Sequence, residues 1–267
     1  MASRSATTSS DPIAARFGAL KAAGRRALVV YVTAGHPDLG GSLVLMRGIA
    51  AAGADVIEVG VPFSDPLADG PIIQASSQRA LAQGMDFGGV FALIARAKLD
   101  APVVLFTYLN PLLAAGDDAL GRAAKAGASG ILLTDLPVGA DAALEARIAA
   151  GPLAFIRLVA PTTPTPRMAE IARHGSGFVY LISRLGVTGM REGLAAELPE
   201  TIQRLRSATS LPVCVGFGIS TPEQAAAVSQ QADGVVVGSA VVNAADASVE
   251  RAIALVREMR AAIDGAR

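Results

Sequence analysis

Short runs of β-branched and aliphatic residues recur along the chain at 28–33, 55–59, 103–107, 130–134, 154–159, 178–182, 213–216 and 234–237. Runs of that length, bounded by glycine, proline or polar residues, read as buried strands. Between them, segments such as 39–52, 117–126, 140–150, 198–208 and 221–230 carry strong helix formers and have the length of crossover helices. The order is strand then helix, eight times over. Such an order most economically closes into a barrel, with an open doubly wound sheet as the alternative. The fold class is therefore α/β, a single (β/α)8 TIM barrel. Gly53 and Gly127 fall where a helix must end before the next strand, the left-handed position that favours glycine. A further helix at 11–23, with Asp11-Pro12 as cap and first-turn pair, is placed to plug the barrel's lower end. Two helical pieces, 74–83 and 87–98, are inserted after the second strand. The domain reading is a disordered tail at 1–10 and one barrel domain at 11–267.

Composition narrows the partners. The 267 residues suit one barrel of about 250 residues. Lys+Arg and Asp+Glu are 23 each and no basic run appears, so nothing marks a nucleic-acid or anionic-membrane surface. Apolar residues come in short interrupted runs, never the 18 or so in a row of a spanning helix, and residues 1–10 lack the apolar stretch of a signal peptide. The single Cys214 excludes an internal disulfide and reads as a small core residue. A cytoplasmic location follows.

One strand carries a residue that does not belong in a core. Alternation puts Val56, Glu58 and Gly60 on one face and Ile57, Val59 and Val61 on the other, so Glu58 cannot reach solvent if both faces are covered. An unpaired buried carboxylate is tolerated mainly where it has a task. Eleven residues on, Asp69 lies in a loop shaped by Pro62, Pro66, Gly70 and Pro71. Two carboxyls in different surroundings are what acid–base chemistry near neutral pH requires.

The remaining groups restrict the reaction. In such barrels the site forms at the C-terminal ends of the strands, and loops after strands seven and eight often hold phosphate. Glycine stands at both, in Gly216-Phe-Gly-Ile-Ser220 and in Gly238-Ser239-Ala240, so a phosphorylated substrate is expected on backbone amides. Lys21, Lys98 and Lys125 all fall in helical segments, which disfavours a Schiff base. His36 and His174 form no ligand pair, so no metal is expected, and His36 before Pro37 reads as a solvated turn residue in preference to a substrate contact. Tyr31 and Tyr180 alternate so that each can point into the barrel mouth, though either taken singly is more often core filler with a satisfied hydroxyl. After strand six, residues 183–193 carry three glycines and two arginines, a composition that fits a lid or a plain surface loop.

Taken together, Glu58-Val-Gly-Val-Pro-Phe-Ser-Asp-Pro-Leu-Ala-Asp-Gly-Pro71, Tyr180-Leu-Ile-Ser-Arg-Leu-Gly-Val-Thr-Gly189, Gly216-Phe-Gly-Ile-Ser220 and Gly238-Ser239 make the chain resemble the α subunit of tryptophan synthase, over nearly all its length after the tail. The resemblance implies cleavage of indole-3-glycerol phosphate to indole and glyceraldehyde 3-phosphate, a carbon–carbon lyase step in tryptophan biosynthesis. It implies no cofactor in this chain, and a partner β subunit that holds pyridoxal phosphate, in an α2β2 heterotetramer. Glu58 and Asp69 fall on the family's catalytic pair, Glu58 as proton shuttle and Asp69 on the indole N–H. Tyr180 would stand beside Glu58, and Tyr31 would wall the indole pocket where the family often has phenylalanine. Gly189, Gly218, Gly238 and Ser239 would hold phosphate, with Thr188 meeting Asp69 when the lid closes. Asp65, Pro66 and Asn110 would face the β subunit. Rival readings are a phosphate-binding barrel isomerase, which would share the glycine loops but not the acidic loop, and a weakly catalytic activator subunit.

Overall fold

The computed structural model describes residues 11–182, 192–216 and 218–266. Eight parallel strands close on themselves in chain order: β1 (Ala27–Thr33), β2 (Val56–Gly60), β3 (Val103–Thr107), β4 (Ala128–Leu133), β5 (Ala154–Val159), β6 (Val179–Ile182), β7 (Val213–Gly216) and β8 (Gly234–Val237), with β8 pairing back onto β1. This is the (β/α)8 barrel, and the open-sheet alternative falls with the β1–β8 pairing. The tail at 1–10 lies outside the described residues.

Helices cover the outside. They are α1 (Pro12–Ala22), α2 (Leu39–Ala51), α3 (Pro71–Ala82), α4 (Phe87–Ala97), α5 (Leu109–Ala114), α6 (Ala119–Ala126), α7 (Ala142–Ala149), α8 (Thr165–Arg173), α9 (Glu192–Ala208), α10 (Pro222–Ser229), α11 (Ser239–Ala247) and α12 (Val249–Gly265). Asp11 caps α1, its carboxylate accepting from Ile13 N at 2.9 Å with Pro12 in the first turn. Gly53 and Gly127 have φ of +106° and +111°, the left-handed stops expected of them. Most bounds shift by one or two residues, and two helix starts shift further. Helix α3 already starts at Pro71, so the acidic loop is shorter than the composition suggested. Helix α9 starts at Glu192 and runs through Pro199, a proline that in sequence reads as a helix start.

Strand alternation divides the core in two. Leu28, Val30, Ile57, Val59, Leu105 and Ile131 point outward and pack under the helices. Val29, Val56, Val104, Leu132, Ile156 and Cys214 point inward, where Ile13, Phe17 and Leu20 of α1 join them, with the Phe17 ring 5.7 Å from that of Phe178. Helix α1 is thus the plug that its position suggested. With that end filled by apolar side chains, open space remains at the strands' C-terminal ends.

The lower rim also carries a buried ion pair. Asp55, just before β2, accepts from Leu28 N and from Arg260 Nη1 at 2.9 Å each, and the same Arg260 nitrogen donates to Arg26 O. Burial pushes the Asp55 carboxyl above its ordinary range even with the Leu28 amide and Arg260 beside it. Arg260→Leu should therefore cost about 3 kcal/mol, the usual penalty for stranding one partner of a buried pair. A urea denaturation midpoint close to that of the parent chain would contradict this.

Candidate active site

Register brings the first candidate into place. Tyr31 on β1 pairs with Glu58 on β2, and Glu58 with Val104 on β3, so all three sit at one level inside the barrel. Glu58 is 1% exposed, and its Oε1 has no hydrogen-bond partner among the described residues. Burial alone pushes its carboxyl up to about 8, so it stays protonated in the resting site at neutral pH. The strand tolerates a carboxyl here because it is not charged.

Asp69 is held differently. The loop folds on itself through Leu67 N donating to Asp65 O at 2.9 Å and Asp69 N to Pro66 O at 3.0 Å, and Gln74 Nε2 donates to Asp69 O at 2.8 Å. Gly70 ends the loop and Pro71 begins α3. Burial raises the Asp69 carboxyl to about 6, against a lowering from its hydrogen bond with Tyr108. Asp69 is therefore ionised in the pH range where Glu58 is not. The Tyr108 hydroxyl also accepts from Ala68 N at 2.9 Å, and its ring lies 5.2 Å from Phe63, so this one tyrosine braces the acidic loop at two points. Sequence reasoning passed over Tyr108, although its place just past the end of β3 is where site residues of a barrel gather.

Aromatic rings line the mouth. Tyr31 meets Phe106 edge-on at 5.2 Å, across the top of β2. They can meet because residue 60 is glycine: a Cβ there would stand 2.0 Å from the Tyr31 hydroxyl oxygen. Tyr180 is buried, and burial first, then the Glu58 charge, holds its hydroxyl proton well above the usual range.

The glycine loops close the opposite side. At α10 the helix end is occupied by its own residues, Gln224 Oε1 accepting from Ser220 N at 2.8 Å and Thr221 Oγ1 from Gln224 N at 3.3 Å. At α11 Gly238 supplies no side-chain cap, so the first amides of that helix remain open to an anion. Tyr31, Glu58, Asp69, Tyr180, Gly218, Gly238 and Ser239 all line one cavity of about 1130 Å³. Thr188 and Gly189 lie outside the described residues. Asp65 and Asn110 are exposed and Pro66 half-buried on the outer side of the acidic loop and on α5, beside Leu67, which is 94% exposed.

His36 is not the solvated turn residue expected. It is buried, with Nε2 3.3 Å from Val242 O and 3.5 Å from Asp246 Oδ1, because α11 packs directly over the loop after β1. Burial lowers its pKa, so it is a neutral packing residue behind α11. Among the described residues no group of three His, Cys, Asp or Glu side chains could hold a metal ion.

Comparison with known proteins agrees with this geometry. Residues 17–265 match the family model described as tryptophan synthase alpha chain. The chain belongs to the tryptophan synthase alpha chain family. It is 46% identical over 244 residues to the tryptophan synthase alpha chain of Caulobacter vibrioides (90% of this chain, 89% of that protein) and 49% identical over 229 residues to that of Carboxydothermus hydrogenoformans (85% and 86%). The crystal structure of tryptophan synthase subunit alpha from Legionella pneumophila superposes with a TM-score of 0.88 at 36% identity, covering 96% of this chain and all of that one. The family is one of carbon–carbon lyases of tryptophan biosynthesis, and the chain is an enzyme of that class.

The protonation of Glu58 bears on stability as well as chemistry. The unfolded chain releases this proton near the ordinary value of 4.5, whereas the folded chain keeps it to about 8. Its stability contribution is thus intact below the unfolded value and is lost as pH rises through the folded one. Glu58→Gln has no charge to develop, so at about pH 9 it should be more stable than the parent by on the order of 4 kcal/mol, and near pH 4 equally stable. Urea midpoints at the two pH values measure this, and a constant difference would refute it.

Proposed function

We propose that the chain cleaves indole-3-glycerol phosphate to indole and glyceraldehyde 3-phosphate by a retro-aldol step in which Glu58 moves the proton and Asp69 holds the developing charge. The observation that carries it is the pairing, in one cavity, of a carboxyl neutral to about 8 with one ionised above about 6. Protonated Glu58 gives its proton to indole C3, and the ring becomes an indoleninium with its positive charge on nitrogen. The Asp69 carboxylate accepts the N–H hydrogen bond and stabilises that charge. Ionised Glu58 then removes the proton of the glycerol hydroxyl beside the ring. That oxygen becomes the aldehyde, the carbon–carbon bond breaks, and its electron pair returns to C3 to restore indole. Glu58 ends protonated, as it began, and no cofactor is called on.

Gly218, Gly238 and Ser239 would hold the phosphate, which fits the uncapped start of α11, with Gly189 a further contact and Thr188 meeting Asp69 on closure. Tyr180 would flank the reacting carbon, and Tyr31 with Phe106 would wall the indole. Residues 11–267 form the catalytic domain. Asp65, Pro66 and Asn110 would meet a β subunit in an α2β2 assembly, a reading supported by exposed Leu67 and half-exposed Leu113 beside them. Pyridoxal phosphate belongs to that partner. Among the described residues no helix is long and apolar enough to cross a membrane, and a cytoplasmic location goes with this role.

Indole release from the purified chain, with and without a β subunit, tests the reading and separates it from isomerase and activator roles. Glu58→Gln and Asp69→Asn should each lower turnover by at least about a hundredfold, while binding of a phosphate ligand survives; turnover persisting in both would sink the assignment. In the parent chain kcat/KM should rise through an apparent pKa of about 6, as Asp69 ionises, and fall through about 8, as Glu58 loses its proton. A profile flat across that interval would remove Glu58 and Asp69 as the titrating pair.

A further inference from the structure

Tyr31 is 7% exposed, and its hydroxyl has almost nothing to bond to. The protein oxygen nearest it in the hydrogen-bond network is Thr33 Oγ1 at 3.5 Å, beyond the 2.5–3.0 Å range of an O–H···O bond. Nor is the threonine proton free. Ser76 Oγ donates to Ile73 O at 2.8 Å, and Thr33 Oγ1 stands 2.7 Å from Ser76 Oγ. A hydroxyl has one proton, so Ser76 must accept and Thr33 must donate to it. That leaves the lone pairs of Thr33 Oγ1 free to accept, so the Tyr31 proton has one long contact, at 3.5 Å, and otherwise faces the cavity. A contact that long is weak, so a better-placed acceptor in the cavity can take the proton at little cost.

The ring lies along a definite line. A Cβ on Gly238 would stand 3.3 Å from Tyr31 Cβ, so the base of the side chain rests on the phosphate loop. Its hydroxyl end lies over Gly60, two residues past Glu58 on the same strand. Burial, then the charge of Asp69, raises the Tyr31 pKa far above the ordinary phenol value, so the group keeps its proton throughout the working range. A substrate with phosphate on α11 and its reacting carbon at Glu58 must run beside this ring, and the part that spans the gap is the hydroxylated three-carbon chain.

We infer that the Tyr31 hydroxyl donates a hydrogen bond to a glycerol oxygen of the bound substrate, a third polar contact beside Glu58 and Asp69, in addition to the ring's place in the aromatic wall. This rests on the lyase reading above. It makes Tyr31 a specificity-determining residue for the hydroxylated chain.

The test uses Tyr31→Phe, which removes the oxygen and keeps the ring. In the full chain its kcat/KM for indole release should fall about tenfold. Its thermal midpoint should change little, since the donor it loses has only the 3.5 Å contact with Thr33 in the free protein. In the Glu58→Gln background, where bound substrate is not consumed, calorimetric titration compares indole-3-glycerol phosphate with the analogue whose glycerol hydroxyls are replaced by hydrogen. Tyr31→Phe should weaken the first about tenfold and leave the second within about twofold. Equal losses for both ligands, or no loss for the hydroxylated one, overturns the hydroxyl's role while leaving the lyase reading intact. A parent chain that binds neither ligand and releases no indole overturns the lyase reading, and this inference with it.

Discussion

A carboxyl on the inward face of a closed barrel strand has no route to solvent except through the mouth, and Glu58 occupies that position. Charging it in place would cost several kcal/mol, so the folded chain keeps it protonated to about 8. The arrangement around it follows from that constraint. The plug of Ile13, Phe17 and Leu20 keeps the lower end apolar, and no described group pairs with Glu58 Oε1. A cation in contact with Glu58 would drop its pKa and favour its charged form. Asp69 meets the opposite requirement by sitting on a loop, where partial burial and a tyrosine hydrogen bond bring it to about 6. The two values differ because one acid belongs to a strand and the other to a turn.

The glycine-loop side of the mouth bears on the same electrostatics. A lysine or arginine in contact with Glu58 would favour its charged form; Arg251 lines the same cavity, yet burial alone sets the Glu58 shift, and helix amides attract an anion with only partial charge and within about one turn. Of the two helix starts on this side, only one is left open. Helix α10 closes its own end with the Thr221–Gln224 capping box, while α11 begins at Gly238 with none. His36, buried beneath α11 against Val242 and Asp246, has its pKa lowered by burial, so it brings no positive charge of its own to that helix.

Much of this was legible in the order of residues. Strands β3, β5, β7 and β8 fall at their expected bounds, because a barrel strand is buried on both faces and its apolar run is uninterrupted. The site followed from two anomalies, an acid at an inward position and glycines at the ends of the last two strands. What could not be read were contacts made by residues distant in sequence. His36 looked like a turn because a histidine before proline is usually solvated, and only the packing of α11, some 200 residues on, buries it. Tyr108 carries no local signal of its role, since its partners Ala68, Asp69 and Phe63 lie about 40 residues earlier. Helix α9 runs through Pro199, which local chemistry places at a helix start.

Tyr108 also joins two regions with different tasks. It stands at the start of α5, directly before Leu109, whose amide is held by Asp135 at 2.7 Å, and Asn110. Its hydroxyl and ring reach back to Ala68, Asp69 and Phe63. The outward surface of the acidic loop carries Asp65, Pro66 and the almost fully exposed Leu67, while its inward surface carries Asp69. A loop this short, tied at both ends and braced at one tyrosine, cannot shift on its outer side without moving the carboxylate on its inner side. Because burial is what raises the Asp69 carboxyl to about 6, a small change in how it is covered alters its charge. A surface that binds a partner there acts on the chemistry through the placement of one carboxylate, with no need for the partner to reach the cavity.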